Sequence, residues 1–213
     1  MLLEYSYYDI ASNDAEIQGN LTEALKHNVQ TISVLPPYAR LVKSLVNNAA
    51  KISCPIDYPM GVLDIKSRLS VVDFCLKNNV DIIEAVCPAQ LLCNRKYDKF
   101  RDDIKQLTNL CSSLNVELRY VLEYRQYSYE LLYKVAQILY DFNVKTIYPS
   151  TGYSLDDIGD NIIASALINK KVPNINIICN GNLWNSNHLK MVKNNQLYGL
   201  RINSLNGLQL INS

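Results

Sequence analysis

Glycine is scarce in this 213-residue chain: seven residues, about half the average share. The six cysteines (Cys54, Cys75, Cys87, Cys93, Cys111, Cys179) show neither C-x-x-C spacing nor the density of a secreted scaffold. Reduced, mostly buried thiols in a cytoplasmic protein are the expectation. His27 and His188 lie far apart in polar helical stretches, with no cysteine or acidic cluster of metal-ligand spacing nearby, so neither a metal site nor a cofactor is expected. No run approaches about 18 consecutive apolar residues, which excludes a membrane-spanning helix. The N-terminus lacks a basic region followed by an apolar run, and no signal peptide is expected. Net charge is +1 with both signs interspersed, which gives no basic face for nucleic acid or anionic lipid.

What is present is an alternation. At 48% hydrophobic and 19% charged the chain can bury a full core. Strands are expected over 3–8, 31–35, 51–54, 81–86, 117–123, 145–148, 175–179 and 200–203. Asn13 with Glu16 three residues on reads as a capping box that opens a helix running to Lys26, and Ser128 and Ser186 read as caps of later helices. Further helices are expected over 39–46, along a stripe of Ile65, Leu69, Val72 and Leu76, along Tyr97, Phe100, Ile104, Leu107 and Leu114, and over 155–168. Four Asn-Val pairs, at Asn28, Asn79, Asn115 and Asn143, fall where a helix should give way to a strand; Asn tolerates the left-handed conformation that ends a helix, and Val starts a strand. Eight strands alternating with helices at about 27 residues per unit fit one compact (β/α)8 barrel, a TIM barrel of the α/β class spanning residues 1–213. A doubly wound sheet also fits the alternation, and periodicity alone does not exclude it.

The stretch from Lys145 to Tyr153 sets the site. A β-branched run breaks at Pro149 and turns through Gly152, so Tyr148 is expected as the last regular strand residue, aimed at whatever the βα loops enclose. A covered parallel sheet should be apolar on both faces, so polar strand residues carry information: Glu4, Ser6, Ser33, Glu84, Arg119, Glu123, Tyr148 and Ser150. Buried charges persist only when paired, and Arg119 is expected to be held by Glu84, with Glu4 or Glu123 as further partners. Tyr148, Glu84 and Arg119 are the candidate catalytic set. Lys51 and Lys145 sit at strand beginnings, opposite an active face, and the other lysines lie on helices or loops. None is placed where desolvation would prepare it for imine chemistry.

These residues, taken together, resemble the deoxyribose-phosphate aldolase family. The resemblance is carried by Ile32 to Tyr38 with Leu41 to Lys43, Asp57 to Gly61 with Lys66, Asp81 to Val86, Leu118 to Glu123 and, above all, Ser150 to Tyr153. It implies a TIM barrel and, in that family, a class I aldolase whose strand-six lysine forms a Schiff base in a Lys-Thr-Ser-Thr-Gly pattern. Here Tyr148 stands at the lysine position and Pro149 beside it. Ile178 matches the family's second lysine, Arg119 a strand-five lysine, Glu84 the strand-four aspartate and Glu4 the strand-one aspartate. A phenol forms no imine, and an arginine never loses its proton. The resemblance also implies a phosphate site in the loops after strands six, seven and eight, which here would comprise Gly152, Gly181, Arg201 and Ser204. Asn182 replaces a glycine there, and Arg201 would either contact phosphate or block the pocket.

Three readings follow. In the first, the chain is a degenerate aldolase with a binding or interaction role. In the second, it is an enzyme of altered acid–base chemistry on a sugar phosphate or related carbonyl compound, with Arg119 lowering the pKa of Tyr148. In the third, it is an aldolase working through a relocated lysine. The expected partner is a phosphorylated sugar or similar small molecule, and the expected state is a monomer or homodimer.

Overall fold

The computed structural model describes residues 1–153 and 157–212. Its strands are β1 (Leu2–Tyr7), β2 (Thr31–Val34), β3 (Lys51–Ile56), β4 (Ile82–Val86), β5 (Glu117–Val121), β6 (Thr146–Tyr148), β7 (Asn176–Asn180) and β8 (Gly199–Ile202). All neighbours pair in parallel, and β8 closes on β1. The fold is therefore the (β/α)8 barrel, and the doubly wound alternative is set aside by closure. Around it run α1 (Asp14–Leu25), α2 (Ala39–Val46), α3 (Ile65–Lys77), α4 (Ala89–Cys93), α5 (Tyr97–Ser113), α6 (Tyr129–Asp141), α7 (Ile158–Lys171), α8 (Ser186–Asn194) and α9 (Leu205–Ile211). No helix among the described residues is long and apolar enough to cross a membrane.

Local chemistry explains most boundaries. Asn13 caps α1 in a capping box with Glu16. Asn28, Asn79, Asn115 and Asn143 all take positive φ, between 56° and 63°, so each exits its helix through the left-handed region that Asn tolerates. Pairing of β3 with β2 ends at Ser53, while pairing with β4 continues through Pro55 and Ile56. Proline is accommodated there because one side of the ladder has already ended. The helix expected from Leu155 begins, in the described residues, at Ile158 with Asp157 as its cap; Leu155 itself lies outside them.

Several expectations are corrected. β5 stops at Val121, and Glu123 has left the strand for φ 59°, ψ 68°. α8 is capped by Asn185, whose side chain accepts the N–H groups of Asn187 and His188, so Ser186 is its first residue and not its cap. On α5 the buried stripe ends at Cys111, and Leu114 is a C-cap left 59% exposed. On α3 the fully buried positions are Arg68, Val72 and Cys75, with Ile65, Leu69 and Leu76 packed at the margin. The main apolar cluster fills the space between barrel and helices, where side chains such as Ile17, Leu21, Phe100 and Leu107 are fully buried. Each contributes about 1.5–3 kcal/mol. The six cysteines are free thiols, and all but Cys93 are buried.

Candidate functional site

The interior of the barrel is polar at its centre. Pairing sets Glu4 of β1 beside Arg201 of β8, and Glu84 of β4 beside Arg119 of β5. The side chains then partner in a different pattern. Arg119 Nη1 reaches Glu4 Oε1 at 2.6 Å and the Tyr148 hydroxyl at 2.7 Å, and its Nε donates to Glu117 Oε1 at 2.7 Å. Glu84 is held by Arg201, whose Nη1 lies 2.5 Å from Glu84 Oε2, and by the hydroxyls of Ser33 and Ser53. The expected Arg119–Glu84 pair is therefore corrected: Arg119 is held by Glu4, one of the further partners expected, and by Glu117, and Glu84 belongs to Arg201. Glu123 is no partner in this set; its Oε2 accepts the N–H and hydroxyl of Thr151.

Arg201 is the hub. Its Nε and Nη2 donate to Glu4 Oε2 at 3.0 and 2.6 Å, Nη2 also reaches Glu84 and the Tyr148 hydroxyl, and Nη1 donates to the Tyr8 hydroxyl at 3.2 Å. Its guanidinium carbon lies 4.1 Å from the centroid of the Tyr148 ring. Two carboxylates and two guanidiniums balance within the barrel, which is how so much charge is tolerated away from water.

The site is closed. Tyr148 and Glu4 are fully buried, and Glu84 and Arg201 are 1% and 2% exposed. Tyr148 and Ile178 pack with Val86 and Val121 in a small inner cluster against Tyr58. Tyr58 in turn packs tilted against Tyr8 (centroids 4.9 Å apart) and edge-on against Tyr153 (6.2 Å), so aromatic rings stand over the charged set. Trp184 takes no part in this filling and is 67% exposed.

The electrostatics follow from burial. Burial pushes the Tyr148 phenol well above its ordinary value; Glu4 and Glu84 add to this, and Arg201 and Arg119 do not offset it. Arg119 does act to lower the Tyr148 pKa, as expected, but with Arg201 it is outweighed by burial and the two carboxylates. Burial alone would raise Glu84, but the charge and hydrogen bonds of Arg201, the hydrogen bond of Ser53 and the charge of Arg119 outweigh it, and Glu84 lies below its ordinary value. Burial disfavours the charged form of Arg201, yet Glu84, Tyr148, Tyr8 and Glu4 hold it firmly protonated.

Every lysine lies outside the barrel. Lys43, half-buried and paired with Asp81 at 3.0 Å, is the least exposed, and the rest, Lys51 and Lys145 included, are exposed. Among the described residues no group of three or more His, Cys, Asp or Glu side chains is arranged to hold a metal ion.

Of the four candidate phosphate residues, Gly152, Gly181 and Ser204 lie in the loops after β6, β7 and β8, whereas Arg201 lies within β8 and is buried among Glu4 and Glu84. Gly152 has φ 71°, and a Cβ there would stand 2.9 Å from the Asn180 side chain. The Gly181 N–H donates to the Arg201 carbonyl at 3.1 Å, and the Ser204 hydroxyl caps α9 by accepting the Gly207 N–H. All three nitrogens of Arg201 are engaged within the protein. Residues that sequence reasoning passed over are Tyr8, Tyr58 and Ser53. Ser53 carried a signal, since it is a polar residue inside an expected strand, as Ser33 is; Tyr8 closed the expected first strand but follows the observed one, which ends at Tyr7, and Tyr58 sits in the loop after β3, where no pattern marks it.

No family model matches the chain. A deoxyribose-phosphate aldolase of Bdellovibrio bacteriovorus is 26% identical over 105 residues, 49% of this chain and 48% of that protein. A deoxyribose-phosphate aldolase of Caldicellulosiruptor saccharolyticus is 20% identical over 154 residues, 71% of this chain and 70% of that protein. The match thus spans about half the length of the first relative. The tetrameric deoxyribose phosphate aldolase of Aeropyrum pernix has the same fold, with a TM-score of 0.84 at 12% identity over 99% of this chain and 89% of that one.

Proposed function

The chain belongs to the deoxyribose-phosphate aldolase family, and on that premise we propose that it is a degenerate aldolase: a barrel that binds or interacts without Schiff-base cleavage of 2-deoxyribose 5-phosphate. The observation that carries this reading is the location of the amines. Imine formation needs an unprotonated primary amine facing the substrate, and Tyr148, at the position the resemblance gives to the lysine, is buried among Glu4, Arg119 and Arg201. A lysine relocated within the barrel is disfavoured because no lysine side chain is buried.

The second reading, acid–base chemistry by Tyr148, Glu84 and Arg119 on a sugar phosphate or related carbonyl compound, is favoured by one observation. The Tyr148 hydroxyl lies 2.7 Å from Arg119 Nη1 and 3.5 Å from Glu84 Oε1. Against it stands the closure of the set beneath Tyr8 and Tyr58. A binding role would place a phosphorylated sugar at the mouth, near Gly152 and Asn182, and free thiols suit a cytoplasmic setting. The test is a coupled assay for acetaldehyde released from 2-deoxyribose 5-phosphate, run beside a thermal-shift screen of pentose phosphates and nucleosides. A ligand that raises Tm without turnover supports the first reading. Slow conversion of a carbonyl compound, lost in Tyr148→Phe, supports the second.

A further inference from the structure

The loop between β7 and α8 is met by a histidine that faces it and a neighbouring helix at once. Asn185 caps α8, and His188, three residues on, turns its ring back onto the loop. Its Nδ1 lies 3.5 Å from the Trp184 backbone nitrogen and 3.4 Å from the Asn182 carbonyl oxygen. The first of these groups is a donor and the second an acceptor, so the ring nitrogen serves one or the other according to whether it carries a proton. Both distances exceed the usual hydrogen bond of about 2.9–3.0 Å. The ring therefore stands between two partners and is committed to neither.

The other ring nitrogen faces α7. Nε2 lies 4.0 Å from Asp157 Oδ2. Asp157 caps that helix through its other oxygen, which accepts the Gly159 N–H at 2.7 Å. Helix α8 packs against α7 and α9. The next acid on α7, Asp160, is paired with Arg125 at 3.2 Å. Helix α9 and residues 181–185 carry no titratable side chain, and Lys190 and Lys193 of α8 are exposed. Among the described residues, Asp157 is thus the charge that faces the ring.

Histidine is the side chain that ordinarily gains its charge between pH 8 and pH 5. With the neutral ring's proton on Nε2, facing Asp157, Nδ1 accepts the Trp184 N–H, which has no other partner among the described residues. A second proton, taken from water onto Nδ1, turns that acceptor into a donor. The Trp184 N–H is then repelled, the Asn182 carbonyl takes its place, and the charged ring is drawn to Asp157. We propose that His188 is a proton-operated latch, which on charging releases Trp184 and fastens the β7–α8 loop to the first turn of α7. The loop carries Gly181 and Asn182 at the barrel mouth, but the latch does not depend on what binds there.

The test is a titration of the whole protein from pH 8 to pH 5, followed by NMR of the backbone amides and of the histidine ring nitrogens. Trp184 is the one tryptophan in the chain, so its emission is a second readout. The neutral His188 ring is expected to carry its proton on Nε2. As the ring charges, the Trp184 amide proton should move upfield, as loss of an acceptor requires, with the ring's own midpoint. Asp157→Asn keeps a capping side chain and should move that midpoint to lower pH, because it removes the charge that favours the protonated ring. In His188→Gln the response of Trp184 should be lost, while His27→Gln, whose ring is bonded to Asn212 instead, should leave it intact. A neutral ring protonated on Nδ1, a Trp184 amide that does not follow the ring, or a midpoint unmoved by Asp157→Asn would each overturn the proposal.

Discussion

Nη2 of Arg201 lies 2.6 Å from the hydroxyl oxygen of Tyr148 and equally close to Oε2 of Glu4. One guanidinium thereby joins β1, β4, β6 and β8 across the barrel. Arg201→Met should leave Glu4 and Glu84 buried and under-compensated and cost about 3–5 kcal/mol. Combined with Glu84→Gln, the loss should fall well short of the sum of the two single losses, since both remove the same interaction. Urea denaturation of the four proteins measures this; additive losses would mean the pair is not coupled.

Removing only the phenol oxygen is a milder change. Tyr148→Phe keeps the ring against Val86, Val121 and Ile178 and deletes the hydroxyl shared by Arg119, Arg201 and Glu4. A destabilisation of about 1–3 kcal/mol is expected from the unpaired buried groups left behind, read as a lower urea midpoint with an unchanged m-value.

Acid should release part of this network. Glu84 is held below its ordinary value of 4.5 in the folded state, so its contribution is complete above that pH and is lost as pH falls through the lower folded value. Asp57 and Asp103 are raised above their ordinary 3.8 by burial and act in the opposite sense, favouring the folded state as they protonate. Glu84→Gln should therefore lose less stability than the parent between pH 5 and pH 3. Parallel acid profiles for the two proteins would show that Glu84 does not carry the effect.

How far the sequence could be read depended on how local each feature is. The Asn13–Glu16 box, the Asn-Val exits and the end of β6 at Tyr148 are set by neighbours within a few residues, and they were legible. The partner of Glu84 was not. It is decided by the closure of β8 on β1 and by side chains reaching across the barrel, so the in-register neighbour Arg119 was the natural but mistaken choice. Arg68 was missed for a related reason. An arginine on a helix reads as solvated, and only the approach of Asp57 and Asp103 from a loop and another helix makes its burial possible.

The cap of α8 offers a local check. Asn185→Ala should cost about 1 kcal/mol, because its side chain accepts two N–H groups at 3.0 and 3.1 Å. Ser186→Ala should change stability little. Thermal denaturation of the two variants distinguishes them; a larger loss at Ser186 would reverse the assignment.

The most direct test of the central claim is mass spectrometry of the intact protein after incubation with 2-deoxyribose 5-phosphate or acetaldehyde and borohydride. An unchanged mass is the predicted result, because the barrel interior presents Tyr148 and Ile178 but no lysine. A reduced covalent adduct mapped to a lysine at the barrel mouth would contradict it.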